Sequence, residues 1–328
     1  MSRSQLRFAI ELSILLTTGV SAASAQAPTR CNSAASASIS HLTLPGNPFT
    51  PLPSPDGCWI FVTLARPNPT AEGGVAVVSR SDVKLALVRT FPLTGGPTGA
   101  VLTHDGKLLI VTTGPAVAFL DVARLESGKG APVLGYLDFG KPVASIFANV
   151  TRDDRYLFVS LERAFGIAVI DLDKARKTGF DITAVVGVIP TGNSPIALTF
   201  STDERWLYTT SQAAPAALKW PVACKPEGQP TAAPNHPLGA ILIVDVERAK
   251  TDPEHSVAAA VAAGCNPVRL ALSPDGNVLY ATARGDYELR AYDTRKLLAD
   301  SAHALLGRVP VGTAPVGIAV FDSGGKLS

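Results

Sequence analysis

Short apolar stretches separated by polar turns recur along this chain in one fixed order. A Gly, one or two residues and a Pro lead into an apolar strand, then a polar turn, then a second apolar strand. The phrase runs from Gly95-Gly96-Pro97 through His104-Asp105-Gly106-Lys107 to Leu108-Leu109-Ile110-Val111-Thr112. It returns at Gly46-Asn47-Pro48, Gly140-Lys141-Pro142, Gly192-Asn193-Ser194-Pro195 and Asn266-Pro267, and begins again at Gly312-Thr313-Ala314-Pro315. A third apolar stretch follows in each copy, ending on Asp121, Asp171, Asp245 or Asp293, with Ser79 in the first. Asp or Ser at that point bonds to nearby backbone and starts a turn. A fourth stretch, such as Val185 to Ile189 or Leu306 to Val311, precedes the next Gly/Pro.

The turn aspartates Asp56, Asp105, Asp153, Asp203 and Asp275 set the period, with spacings of 49, 48, 50 and 72. The long interval contains one period plus a Pro- and Ala-rich insertion, residues 213–237. Four antiparallel strands in a repeat of this length describe a propeller blade. Asp-Gly in the turns supports the tight hairpins that a parallel solenoid would not need. The pattern therefore predicts an all-β chain, a β-propeller of four-stranded antiparallel blades with five full repeats and a partial sixth. Residues 38–44 read as a lone fourth strand ahead of the first full blade. Two readings of the blade count stay open: a fragment of a longer product, or a natural ring of five blades and a part with a compromised seam.

Gly-x-Pro, an apolar strand, Ser-Pro-Asp-Gly and a following strand such as Phe61-Val62-Thr63-Leu64, Phe158-Val159-Ser160-Leu161 or Tyr280-Ala281-Thr282-Ala283 resemble the YVTN-family propeller repeat. The resemblance spans nearly all of residues 38–328. It implies the lactonase-like propeller superfamily, usually seven-bladed, and specifies the scaffold better than the activity. The Asn that usually closes the namesake strand is absent from every copy.

The N-terminus changes where this propeller is expected to work. Arg3 and Arg7, an apolar stretch from Phe8 to Val20 and Ala23-Ser24-Ala25 read as a signal peptide over residues 1–25. Residues 26–37 then form an N-terminal segment before the propeller. The mature chain is expected to be secreted or periplasmic, in a bacterium, with no membrane span. All four cysteines follow the cleavage point, and an oxidising compartment favours disulfides. Blade geometry puts Cys224 and Cys265 on the face carrying the Gly/Pro connections, and Cys31 and Cys58 on the opposite face. The predicted pairs are Cys31–Cys58 and Cys224–Cys265.

The net charge is +2, with no Lys/Arg cluster of the kind a phosphate backbone needs, which argues against nucleic acid. No phosphate loop, nucleophile elbow, zinc spacing or haem-attachment motif appears, so no metal or cofactor is expected. The repeating aspartates read as turn formers. The loops of the Gly/Pro face carry Arg66 and Glu72, Glu162 and Arg163, and Arg284, Asp286 and Glu288, with His236 ending the insertion. Of these, Arg66, Glu72, Glu162, Arg163, Arg284 and Asp286 are the binding candidates. Glu162, Arg163, His236 and Arg284 are the catalytic ones, because Arg binds carboxylates and Glu or His moves protons. The resemblance implies Arg, His and Glu chemistry on this face; the plainer reading is that exposed loops are charged. Arg284-Gly285-Asp286 spells an adhesion tripeptide at a repeat turn, and Asn149-Val150-Thr151 a glycosylation sequon. The expected function is an exported, non-catalytic, monomeric scaffold that presents a loop face to a protein, peptide or glycan. The alternative is a metal-independent lactonase or cycloisomerase-like hydrolase acting on a small cyclic ester.

Overall fold

The computed structural model describes residues 31, 40–66, 72–81 and 84–321, so the signal-peptide reading and most of residues 26–37 lie outside the described residues. The apolar phrases become β-strands in the predicted order. The first sheet holds β1 (Asn47–Pro53), β2 (Trp59–Ala65), β3 (Gly73–Ser81) and β4 (Lys84–Leu93). The second holds β5 (Ala100–Leu102), β6 (Leu108–Thr112), β7 (Ala116–Asp121) and β8 (Val133–Asp138). The third holds β9 (Ser145–Val150), β10 (Tyr156–Leu161), β11 (Gly166–Asp171) and β12 (Val185–Pro190). In the fourth, β13 (Asn193–Phe200) and β14 (Trp206–Ala213) are followed by a small insertion hairpin, β15 (Val222–Cys224) and β16 (His236–Pro237). The sheet then resumes with β17 (Gly239–Asp245) and β18 (Val257–Gly264), and the fifth comprises β19 (Pro267–Leu272), β20 (Val278–Ala283), β21 (Glu288–Asp293) and β22 (Leu305–Pro310). Each sheet is an antiparallel meander with its first strand at one edge, so the chain is a β-propeller.

The β-strands form because the sheets bury both faces. The second and third strands read as near-continuous apolar runs: Leu108–Thr112 and Gly166–Ile170 are buried throughout. Leu109, Val111 and Phe61 join the first and second sheets, and Ile110, Phe119 and Leu157 the second and third. Phe158 and Leu207 join the third and fourth, and Ile243 and Leu279 the fourth and fifth. At about 25 cal/mol per Å² of apolar surface, these inter-sheet layers dominate the stability.

The first-to-second turns are five copies of one hydrogen-bonded device. A Ser or Thr two residues before the aspartate donates to its carboxylate, at 2.5 to 2.7 Å, from Ser54, Thr103, Thr151, Ser201 and Ser273. The same carboxylates accept the backbone N–H two residues on, from Cys58, Lys107, Arg155, Arg205 and Asn277. These bonds hold the carboxyls of Asp105, Asp153, Asp203 and Asp275 below their ordinary range. At Asp275, Ser273 and Asn277 lower it to about 2. Burial opposes ionisation at Asp105 and Asp153, but the Thr103 and Thr151 hydroxyls and the backbone outweigh it. Turn geometry thus accounts for the repeating aspartates, and no metal-holding cluster exists among the described residues.

The aspartates ending the third strands do more than start a turn. Asp121, Asp171 and Asp245 cap short helices, α1 (Val122–Ser127), α2 (Leu172–Lys177) and α3 (Val246–Ala249), by accepting the N–H three residues on. Ser79 in the first sheet caps nothing of this kind, and there β3 continues to Ser81.

The hydroxyl in the second strand locks neighbouring sheets. Thr63, Thr210 and Thr282 each accept from the first strand of their own sheet, from the N–H of Thr50, Ala197 and Arg269. Thr63 and Thr210 donate to Thr98 O and Val268 O in the next sheet, and Thr282 donates to Val316 O at 3.3 Å. The segment around Val316 therefore takes the place of a sixth first strand, although it forms no ladder. Ala314 repeats the left-handed backbone of Ser194 and Asn266, with φ of 52°, 49° and 51°.

The expected lone strand at residues 38–44 is not seen in its described part. Residues 40–44 form no strand; Leu42 and Leu44 instead pack on Val62, Leu64, Ala76 and Val78 of the first sheet. A fourth strand pairs with a third strand of its own sheet, and among the described residues no third strand pairs with these.

Candidate functional site

Both predicted disulfides form. Cys31–Cys58 ties the N-terminal segment to a first-to-second turn, and Cys224–Cys265 ties the insertion hairpin to the start of the fifth sheet. The second bond shapes a cleft of about 510 Å³ on the Gly/Pro face, large enough for a small ligand. Residues 225–230 of the insertion form one wall, and Arg284 to Tyr287, between β20 and β21, form the other. Asn266 also lines it.

The polar groups of this cleft have uneven partners. Arg284 is largely buried and pairs through Nη2 with the carboxylate of Glu227 from the insertion. Its Nε is buried with no hydrogen-bond partner, as is Oδ1 of Asn266, a residue 6% exposed. The two residues adjoin, because Arg284 N donates to Asn266 O at 3.1 Å. Asp286 is committed to structure: its Oδ2 accepts from Cys265 N and from Arg290, both at 2.8 Å. That bonding removes the Arg284-Gly285-Asp286 tripeptide from the solvent-facing role its spelling suggests. Tyr287 stands at the rim, 46% exposed, on left-handed backbone with φ 61°.

The other candidates lie apart from the cleft. Arg66 donates from Nε to Gly95 O, bracing the connection between the first two sheets. Glu72 borders a shallow recess beside Gly46 and Leu64. Glu162 and Arg163 form a short turn between β10 and β11, pinned by their N–H groups to Ala144 O and Val143 O, with Arg163 exposed. His236 sits on the insertion hairpin with Nδ1 2.9 Å from Pro237 O and Nε2 3.1 Å from Lys225 O. Arg284 and Asp286 are thus brought together, and Glu162, Arg163 and His236 do not line their cleft. The sequon is also occupied: Asn149 donates its amide to Leu198 O in the next sheet, and Thr151 is buried.

Sequence reasoning treated Asn266 only as part of a Gly/Pro turn and passed over Tyr287 and Glu227. Their role depends on the disulfide-held approach of the insertion, which no local pattern encodes. Arg269 and Phe147 were also missed, since both sit inside apolar strands.

No family model matches the chain, and no curated protein matches it in sequence. Solved structures do resemble it. The periplasmic gluconolactonase PpgL of Pseudomonas aeruginosa aligns with a TM-score of 0.59 and 17% identity, over 82% of this chain and 72% of that one. A functionally unknown protein from Desulfotomaculum acetoxidans DSM 771 aligns with a TM-score of 0.58 and 11% identity, over 84% and 75%. At these identities the likeness establishes the fold, and the chain shares the propeller architecture of a periplasmic lactonase.

Proposed function

We propose that this chain is an exported propeller that binds a glycan in the disulfide-walled cleft without turning it over. The observation that carries this reading is the pair of buried, unpartnered polar atoms at the cleft, Arg284 Nε and Asn266 Oδ1. One is a donor and the other an acceptor, and a sugar hydroxyl both accepts and donates. Leaving such atoms unmatched costs about 1–3 kcal/mol each, so a ligand that draws them into hydrogen bonds recovers part of that cost. Tyr287 at the rim offers an aromatic face for a pyranose ring. The two disulfides and the periplasmic fold neighbour support export. The repeat's resemblance to the YVTN family belongs to the same reading.

Lactone hydrolysis is the second reading, favoured by the likeness in fold to a periplasmic gluconolactonase. It needs a proton-transfer group at the substrate. Both ring nitrogens of His236 lie against backbone carbonyls and Glu162 lies outside the cleft, which leaves the Arg284-paired Glu227 as the exposed carboxylate there. One experiment weighs both readings. In a glycan-array and calorimetric screen, Arg284→Ala and Tyr287→Ala should each weaken binding of the best glycan at least tenfold. Opening of glucono-δ-lactone well above the buffer rate, abolished by Arg284→Ala, would replace the binding reading with the hydrolytic one.

A further inference from the structure

The first strands of successive sheets lie side by side, β9 beside β13 and β13 beside β19, around the propeller axis. Arg269 on β19 and Phe147 on β9 occupy the same position in their sheets, each donating its N–H to the second-strand hydroxyl of Thr282 or Ser160. Ala197 holds that position on β13, between them. Yet the Arg269 guanidinium carbon lies 4.3 Å from the centre of the Phe147 ring. A contact that passes over the intervening sheet runs across the axis, and the small Ala197 side chain leaves room for it. Gly99 of the second sheet makes room on the other side, since a Cβ there would come within 2.8 Å of Phe147 Cα.

Among the described residues this cation has an aromatic face and no counter-ion. Nη1 of Arg269 is buried without a hydrogen-bond partner, and no carboxylate among the described residues pairs with it. Burial disfavours the charged form and lowers its pKa to about 10, so the group remains cationic at neutral pH. A buried charge is ordinarily paired or hydrogen-bonded, because desolvation costs several kcal/mol. A cation–π contact recovers only about 0.5–2 kcal/mol. The residue as a whole is only partly covered, although Nη1 itself is buried.

We propose that the central channel holds a small carboxylate ligand, bound by the Arg269 guanidinium over the Phe147 ring. The planar fork of Arg matches a carboxylate bidentately, and Phe147 fixes the plane in which the fork lies. A single cation balances a monoanion; a phosphate or sulfate dianion would leave a buried negative charge unpaired. This site is separate from the cleft and does not depend on glycan binding there.

The test is thermal unfolding and calorimetry of the full chain with sodium acetate and sodium gluconate, against sodium chloride and sodium sulfate at equal ionic strength. Ligand binding to the folded state raises the midpoint in proportion to ln(1 + [L]/Kd). The carboxylates should raise it beyond chloride and sulfate. Arg269→Met should abolish that rise, Arg269→Lys should weaken binding at least tenfold, and Arg284→Ala should leave it unchanged. If Arg269→Met does not fold, Arg269→Lys and direct titration of the wild-type chain with ¹³C-acetate decide the question. A carboxylate response no larger than that of chloride, a larger response to sulfate, or a rise that persists in a folded Arg269 variant lacking the cation would overturn the proposal.

Discussion

Two arginines of the fifth sheet, only two strands' width apart in sequence, solve the burial of a cation in opposite ways. Arg284 sits in the loop after β20, where the insertion delivers the carboxylate of Glu227 to it. Arg269 sits within β19 and meets only the π-face of Phe147 across the axis. A loop can bring an opposite charge because it tolerates insertions on a rigid scaffold. A first strand cannot, since its neighbours are other first strands whose side chains are packed around the same axis. The pair teaches that charge alone does not mark a site here; what matters is whether the fold supplies a partner.

The contrast is sharpest if the partner of Arg284 is removed by releasing the insertion. Replacing both Cys224 and Cys265 by Ser should destabilise the protein by about 2–4 kcal/mol in urea-induced unfolding. It should also weaken any ligand of the cleft while leaving the acetate response at Arg269 intact. A loss of both responses would show that the two regions are one cooperative unit.

A smaller effect separates the two partners themselves. Phe147→Leu keeps most of the apolar volume but removes the ring, and should cost about 1–2 kcal/mol through the lost cation–π contact and altered packing. Glu227→Gln, at a carboxylate nearly half exposed, should cost less than about 1 kcal/mol. Urea midpoints measured side by side check this; the reverse order would mean that the Arg284 pair is the more desolvated one.

The smallest effect per site comes from the far face, which touches neither arginine. The turn carboxyls of Asp105, Asp153, Asp203 and Asp275 have folded pKa values depressed below their unfolded range near 4, with Asp275 at about 2. For a depressed acid, the contribution to stability is present above the unfolded pKa and disappears as pH falls through the folded one. Stability should therefore hold down to about pH 4 and decline between about pH 4 and 2. Ser273→Ala removes one donor to Asp275 and should make that decline shallower in a pH series of unfolding midpoints.

Much of the fold was legible because each blade repeats its chemistry locally. Asp56, Asp105, Asp153, Asp203 and Asp275 mark the hairpins, and the Ser or Thr two residues earlier, though overlooked, was equally visible in the chain. The Thr of Phe61-Val62-Thr63-Leu64 was readable as a motif, but its bridge to Thr98 in the next sheet was not. The candidate site was half legible. Arg284 and Asp286 were singled out as loop charges, and the cysteine pairing followed from which face each loop occupies. Glu162 and Arg163 looked equivalent in sequence, yet no insertion arches over their turn to make a cleft.

By itself, then, the chain determined the period, the four-stranded sheets, the turn device and the two disulfides, because each rests on neighbours in sequence or on the blade's fixed geometry. Only the tertiary structure decided that the cleft lies between the insertion and the fifth sheet, that Asp286 is spent on Cys265 and Arg290, and that Arg269 meets Phe147. Those contacts join residues from different sheets. Their partners are set by how the sheets are arrayed about the axis, a relation that hydrophobic periodicity within a repeat does not carry.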